Sequence, residues 1–186
     1  MSFPSIALLL VSLAPGAGSA QATQAVRVTA NIAQDATLSG EQNFRVLVTT
    51  DEIVTKVEMY VGAERRSESQ STPYRFSLDT INEKDGPMDL KWVAYTDQGH
   101  KGTLIVHVKV DNGLGLGADS HVQTGTKFLQ DGKAQQAIDQ GRVALKIDKK
   151  FAAARFLLAR AYAEQGSYDK AQKYVQDVVD DDPKNF

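Results

Sequence analysis

The side chains that could do chemistry in this sequence are few, and their spacing matches no catalytic or metal-binding pattern. Cysteine is absent, so the chain has no thiolate nucleophile, no disulfide and no cysteine metal ligand. The remaining candidates are three histidines and three aspartates in predicted turns: His100, His107, His121, Asp79, Asp97 and Asp111. The sequence contains no H-E-x-x-H, G-x-S-x-G or phosphate-loop motif.

The spacing of these residues argues against a metal site. His100 and His107 are too far apart along an extended chain to share an ion. The three aspartates resemble loop acids that bind calcium in some sandwich domains, but calcium takes six or more closely spaced oxygens, which favours turn and cap roles. The sequence therefore predicts no catalytic residue, no metal site and no cofactor.

Composition and charge narrow the class of protein further. The chain has 186 residues, of which 42% are hydrophobic and 24% charged, as in a globular protein with one or two domains. Its net charge of −2 lacks the basic excess expected of a protein that binds nucleic acid or an anionic membrane. We therefore expect neither kind of partner.

The N-terminus has the layout of a secretory signal peptide. An apolar run at residues 6–14 is far shorter than the roughly 20 residues needed to span a bilayer. Pro15 and Gly16 end this run, and the sequence AQA at 20–22 fits a cleavage site, with GSA at 18–20 as a second option. We expect residues 1–22 to direct export to the periplasm or the exterior, leaving a mature chain without a membrane span. The alternative is a buried apolar N-terminal segment.

Residues 23–112 read as a series of short β-strands. Apolar residues alternate with polar ones near the start of this region and most clearly at its end: Val26, Val28, Ala30 and Ile32, then Leu104, Val106, Val108 and Val110. Six or seven such segments with turn signals between them predict a β-sandwich. Trp92 fits a core position, and Arg65 and Arg66 are expected at a solvated hairpin tip.

Four stretches of this region carry a family resemblance. They are VEMYVG at 57–62, TPYRFSLDT at 72–80, DG at 85–86 and AYTDQGH at 94–100. Their order and spacing resemble the bacterial Ig-like domains of exported proteins. The resemblance implies an all-β Ig-like sandwich that acts as a spacer or a binding module.

Residues 113–117 read GLGLG, and this composition predicts a flexible linker.

Beyond this linker, the chain repeats with a period of 34 residues. The matched pairs are Gly125 with Ala159, Phe128 with Tyr162, Gly132 with Gly166, Ala137 with Ala171 and Leu145 with Val179. A glycine divides each unit into two helices. Units 118–151 and 152–185 resemble tetratricopeptide repeats, which implies all-α helical hairpins across 118–186.

The tetratricopeptide resemblance implies a groove that binds a protein partner. The family's groove positions fall on Val122, Thr126, Phe156 and Arg160. Chaperone-type repeats hold a C-terminal carboxylate with a Lys and an Asn at the first two of these positions. This sequence has Val122 and Thr126 there instead.

The last helix is the second candidate surface. We expect it to expose Tyr174, Val175, Val178 and Val179 for docking on a partner, a second copy of the chain or the sandwich, since stacked repeats bury apolar faces against neighbours.

Together these features predict a multidomain, exported, non-catalytic protein that binds a protein partner, or itself, mainly through its helical repeats. An alternative function is carbohydrate or cell-surface binding by the Ig-like domain, with Tyr60 and Tyr95 as an outward aromatic platform.

Overall fold

The computed structural model describes residues 26–181, which form a β-sandwich followed by four α-helices. The strands are β1 Arg27–Ala30, β2 Ala36–Leu38, β3 Glu41–Thr49, β4 Val54–Val61, β5 Glu64–Ser69, β6 Tyr74–Asp79, β7 Gly86–Thr96 and β8 Lys101–Val110. The helices are α1 Ala118–Gln130, α2 Ala134–Ile147, α3 Ala152–Glu164 and α4 Tyr168–Asp181. The expected signal peptide at 1–22 lies outside the described residues.

Two sheets build the sandwich. One has the order β1-β3-β6 and is antiparallel, and the other has the order β2-β8-β7-β4-β5 with β2 parallel to β8. Their inward faces enclose Met59, Leu90 and Trp92, and the Phe44 ring meets Trp92 edge-on at 5.3 Å between ring centroids. The predicted sandwich fold is confirmed, with the alternating apolar residues forming its core.

Strand β5 was not predicted, because its sequence ERRSES has no apolar alternation. It is an edge strand that pairs only with β4. Arg65 and Arg66 are exposed, as expected, but they lie on β5 and not at the hairpin tip. Arg65 pairs with Glu68 at 2.9 Å and Arg66 with Glu83 at 3.0 Å. Glu58 of β4 also pairs with Arg65 at 3.3 Å, and Lys56 of β4 pairs with Glu68 at 3.5 Å. These cross-strand charge pairs stabilise β5 in place of burial.

The four helices form two hairpins with the predicted break positions. Gly132 and Gly166 follow the ends of α1 and α3 with φ of 72° and 75°, a left-handed conformation that favours glycine. Small residues set the distance between helices. A Cβ added at Gly125 would lie 2.4 Å from Cδ2 of Leu157, and one at Gly141 would lie 2.7 Å from Cγ of Leu158. The backbone of α2 therefore packs directly against the side chains of α3.

The predicted flexible linker contains a short 3₁₀ helix, Leu114–Leu116, that is held at both ends. The Asp85 carboxylate accepts hydrogen bonds from the backbone N–H of Asn112 at 2.9 Å and of Leu114 at 3.1 Å. The buried His121 ring donates from Nε2 to the Gly113 carbonyl at 2.8 Å. These bonds give the glycine-rich segment a defined turn between the sandwich and α1.

Helix α2 packs against a second 3₁₀ helix, Thr80–Asn82, at one end of the sandwich. Arg142 forms an ion pair with Asp79, and the Lys146 ammonium donates to the carbonyl oxygens of Ile81 and Glu83. The two domains thus meet through charged side chains that satisfy polar groups at the end of strand β6.

Asp139 of α2 lies against Gly40, where an added Cβ would be 2.9 Å from Oδ2. Burial at this contact raises the pKa of Asp139 above its usual range. The sandwich and α2 are therefore in close contact at this point.

No helix within residues 26–181 combines the length and apolar character needed to cross a bilayer.

We expect Gly141→Ala to lower the free energy of unfolding. Overpacking against the branched Cγ of Leu158 costs about 1–3 kcal/mol, whereas alanine gains at most about 1 kcal/mol of helix propensity over glycine. Urea denaturation would measure the difference. Gly115→Ala is the matched control, because nothing lies within 4 Å of its added Cβ. Equal effects of the two substitutions would contradict the close packing of α2 on α3.

Candidate functional site

The residues that could have formed a metal or catalytic centre lie apart. Each histidine has its own partner: His100 with Glu52 at 2.6 Å, His107 with Asp89 at 2.6 Å and His121 with Gln140 at 2.7 Å. Across residues 26–181, the structure contains no group of three or more His, Asp or Glu side chains able to hold a metal ion.

The three aspartates bond to the backbone. Each accepts a backbone N–H at 3.3 Å: Asp79 from Ile81, Asp97 from Ile53 and Asp111 from Gly113. The bonds of Asp79 and Asp111 organise the turns that contain them, whereas the bond of Asp97 connects its turn to a distant segment.

The predicted groove residues lie on two neighbouring helices, α1 and α3, which are in contact. Val122 is half-buried and packs against the apolar core of the repeats. The hydroxyl of Thr126 donates to the Val122 carbonyl at 2.8 Å, so it is satisfied within its own helix. Phe156 is 40% exposed, and Arg160 is exposed one turn further along α3. Phe156 and Arg160 are therefore the groove residues that a partner can reach.

A second arginine on α3 has a structural role. Arg155 donates to the Asp177 carbonyl at 2.7 Å and to Oδ2 of Asp181 at 2.8 Å. This contact lowers the pKa of Asp181. A cation beside the last turn of α4 compensates for acidic side chains at the negative end of the helix dipole. Arg155 thus holds α4 on α3, and Arg160 is free to contact a partner.

The four residues predicted to be exposed on the last helix do not share one environment. Val175 is 41% exposed and Val179 is half-buried. Tyr174 stacks on Tyr162 with 5.8 Å between ring centroids. The expectation of exposure is wrong for Val178, which is only 6% exposed, because α4 packs its apolar side against α3.

Comparison of α4 with its counterpart α2 shows why α4 is a weaker candidate surface. The 34-residue period places Val175 at the position of Gly141, and Gln172 at the position of the buried Ile138. Leu158 of α3 packs directly on Gly141. The side chain of Val175 fills the corresponding space on α4, so a further helix cannot approach α4 as α3 approaches α2.

Sequence reasoning missed a polar cluster on the outer face of the five-stranded sheet. Its centre is Glu58, which is only 5% exposed. The carboxylate accepts hydrogen bonds from Lys56 at 2.7 Å, Tyr60 at 2.6 Å and Tyr95 at 2.8 Å. The bond from Lys56, followed by that from Tyr60, lowers the pKa of Glu58 to about 2. The bond to the carboxylate raises the pKa of Tyr95.

This cluster includes both tyrosines of the predicted aromatic platform, Tyr60 and Tyr95. The ammonium of Lys91 lies 4.3 Å from the centre of the Tyr60 ring, and that of Lys101 lies 4.9 Å from the Tyr95 ring. Both rings are half-buried, with their hydroxyls bonded to Glu58. Tyr60 and Tyr95 thus lie on the outer face as expected, but lysines cover their rings.

We expect Glu58→Gln to lower the free energy of unfolding by about 2–3 kcal/mol at pH 7. The folded-state pKa is below the unfolded value of 4.5, so the stabilisation is present above pH 4.5 and is lost as the pH falls towards 2. Thermal unfolding across this range would show the variant and the wild type converging. Glu64→Gln, at an exposed carboxylate, is the control, and a pH-independent gap would contradict the assignment.

Comparison with known proteins agrees with the helical part of this structure. No curated protein sequence matches the chain. A solved structure of the fibronectin(III)-like modules of Clostridium thermocellum CbhA is 24% identical, covering 45% of this chain and 93% of that one, with a TM-score of 0.39. Residues 128–185 match the family model for the tetratricopeptide repeat, and the predicted resemblance of the helical hairpins to that family is confirmed over this range.

Proposed function

We propose that this chain is a non-catalytic interaction or scaffold protein that binds a protein partner mainly through α1 and α3. The observation that carries the proposal is the exposure of Phe156 and Arg160, one turn apart on the same face of α3. Val122 and Thr126 lie half-buried on the adjoining helix α1. The sandwich contacts α2, and Phe156 and Arg160 on α3 are exposed.

The chemistry of the groove indicates what it would bind. An exposed aromatic ring offers a large apolar contact, and aromatic and arginine residues contribute strongly to the affinity of protein interfaces. Arg160 has no ion pair within the described part of the chain, so its guanidinium can receive a carboxylate or a backbone carbonyl. A segment with a hydrophobic side chain close to an acidic group fits this pair.

Binding of carbohydrate by the sandwich has less support. A sugar ring packs on an open aromatic face, and the faces of Tyr60 and Tyr95 are covered by Lys91 and Lys101. The geometry therefore favours the helical repeats over the outer tyrosines.

We expect a photo-crosslinking amino acid at position 156 to capture the partner, because this side chain is exposed beside Arg160. The same amino acid at Tyr168, which is exposed at the start of α4, is the control. Mass spectrometry would identify the adduct. With the purified partner, Phe156→Ala is expected to weaken binding by about tenfold, as truncation of a central aromatic contact does.

Absence of an adduct at position 156, or equal capture from both positions, would contradict this assignment. An adduct with a second copy of the chain would identify self-association as the function of the groove, and sedimentation equilibrium would then show a dimer that Phe156→Ala weakens.

We also propose that the chain is exported to the periplasm or the exterior. The support is the sequence pattern of residues 1–22, with its short apolar run and small residues at 20–22. Expression of the full-length chain in a bacterium, followed by N-terminal sequencing, is expected to give a mature protein that begins at Thr23. A chain that keeps Met1 in the cytoplasmic fraction would contradict export.

A further inference from the structure

The outer face of the three-stranded sheet carries arginines with no acidic neighbour. Arg45 of β3 and Arg75 of β6 are directly opposite each other in the strand register, and both are exposed. Arg27 of β1 lies on the same face, opposite Thr49. Among residues 26–181, no carboxylate forms an ion pair with any of these three guanidinium groups.

The acids on strands β3 and β6 lie at the opposite end of the face from Arg45 and Arg75. Glu41 and Asp79 form a cross-strand pair four residues from Arg45 along β3, which is roughly 13 Å at the usual rise of a strand. Asp79 is already paired with Arg142 of α2. The arginine end of the sheet therefore has an uncompensated positive potential.

The pairing of Arg45 with Arg75 is unfavourable for folding. Side chains directly opposite in an antiparallel sheet have Cβ atoms about 5 Å apart, and like charges at that separation destabilise the pair. The five-stranded sheet avoids this arrangement, because Lys56 and Arg65 on its outer face both contact Glu58 and Glu68. The two adjacent arginines lack such a partner in the part of the chain that the structure describes, and a bound anion would supply one.

An apolar groove lies beside the arginines. It has a volume of about 590 Å³, and its lining includes Leu47, Val48, Pro73 and Arg45. Leu47 is 66% exposed, which is unusual for a leucine in the middle of a strand. A neighbouring groove of about 370 Å³ is lined by both Arg45 and Arg75. Arg45 therefore borders an apolar site on one side and shares a cationic site on the other.

We infer that this face binds an extended acidic peptide segment of a partner protein, with a carboxylate held by Arg45 and Arg75 and a hydrophobic side chain in the groove beside Leu47. Arg45 and Leu47 are two residues apart on β3, a separation of about 6.8 Å. Alternate side chains of an extended peptide have the same spacing. The recognised pattern is thus an acidic residue and a hydrophobic residue separated by one position.

An acidic polysaccharide matches only half of this surface. Its carboxylates or sulfates would pair with the arginines, but it has no hydrophobic side chain for the apolar groove. The groove next to Leu47 therefore favours a peptide. This site is separate from the groove on α1 and α3, so the two surfaces can be tested independently.

The test is fluorescence anisotropy of labelled synthetic peptides with the full mature chain. The main probe repeats Glu-Ser-Leu, and two further probes replace either the glutamates by glutamine or the leucines by serine. We expect the first probe to bind and both replacements to weaken binding. The double variant Arg45→Gln with Arg75→Gln is expected to weaken it by at least about tenfold, as the loss of charge-assisted contacts does.

Matched variants separate a specific site from general charge. Lys84→Gln with Lys173→Gln removes the same charge from two exposed lysines away from this face, and is expected to change affinity less than twofold. Leu47→Ser should weaken the Glu-Ser-Leu probe but not the serine-substituted one. Phe156→Ala should leave binding of the probe unchanged. The proposal for the arginine face can therefore fail or succeed independently of the proposal that a partner binds at α3.

The following results would overturn the inference: no binding of the main probe, equal loss in the lysine and arginine variants, or equal binding of the uncharged probe. Equal binding of the serine-substituted probe would overturn the assignment of the apolar groove. If heparin bound through the arginines and the peptide did not bind, the ligand of this face would be an acidic polysaccharide and not a peptide. A thermal unfolding midpoint at or above that of the wild type would show that the arginine variants fold.

Discussion

The side chain of Asn112 makes the hydrogen bonds on which the arrangement of the two domains depends. It is buried where the last strand leaves the sandwich, and it accepts from the backbone N–H of Gly40 at 3.3 Å and donates to the Thr80 carbonyl at 2.8 Å. It also contacts the Asp85 carboxylate that holds the linker. Because a buried amide must satisfy both its donors and its acceptor, these bonds fix the direction in which the chain leaves the sheet.

That direction decides which surfaces are free. It brings α2 onto the end of the sandwich, where Arg142 and Lys146 satisfy the carboxylate and carbonyls around the Thr80–Asn82 turn. The sandwich then covers the first hairpin through α2, much as a neighbouring repeat would, while α3 keeps Phe156 exposed. The two sheets also differ in how their cations are paired. Lys56 and Arg65 on the five-stranded sheet pair with Glu58, whereas Arg45 and Arg75 on the three-stranded sheet form no ion pair within residues 26–181.

Much of the fold was predictable, because burial imposes a period on the sequence. Alternation identified the core strands, and the 34-residue period with its glycine breaks identified the hairpins. Strand β5 was missed because cross-strand charge pairs stabilise it, and these leave no apolar pattern. The burial of Val178 was missed because a helical pattern does not say which apolar residue faces the adjoining helix. Glu58 looked like an ordinary outward residue, since its partner Tyr95 is 37 positions away.

The sequence by itself determined the two kinds of domain and the positions of the helix breaks, because these follow from local periodicity and glycine placement. Phe156 and Arg160 were assigned through the resemblance to tetratricopeptide repeats. Only the tertiary structure decided that α2 contacts the sandwich and that Arg45 lies opposite Arg75. It also decided that the hydroxyls of Tyr60 and Tyr95 bond to Glu58 while lysines lie over their rings. Each of these depends on strand register or domain contact between residues far apart in the chain. A local pattern cannot encode such a pairing, because it depends on which distant segment the fold brings alongside.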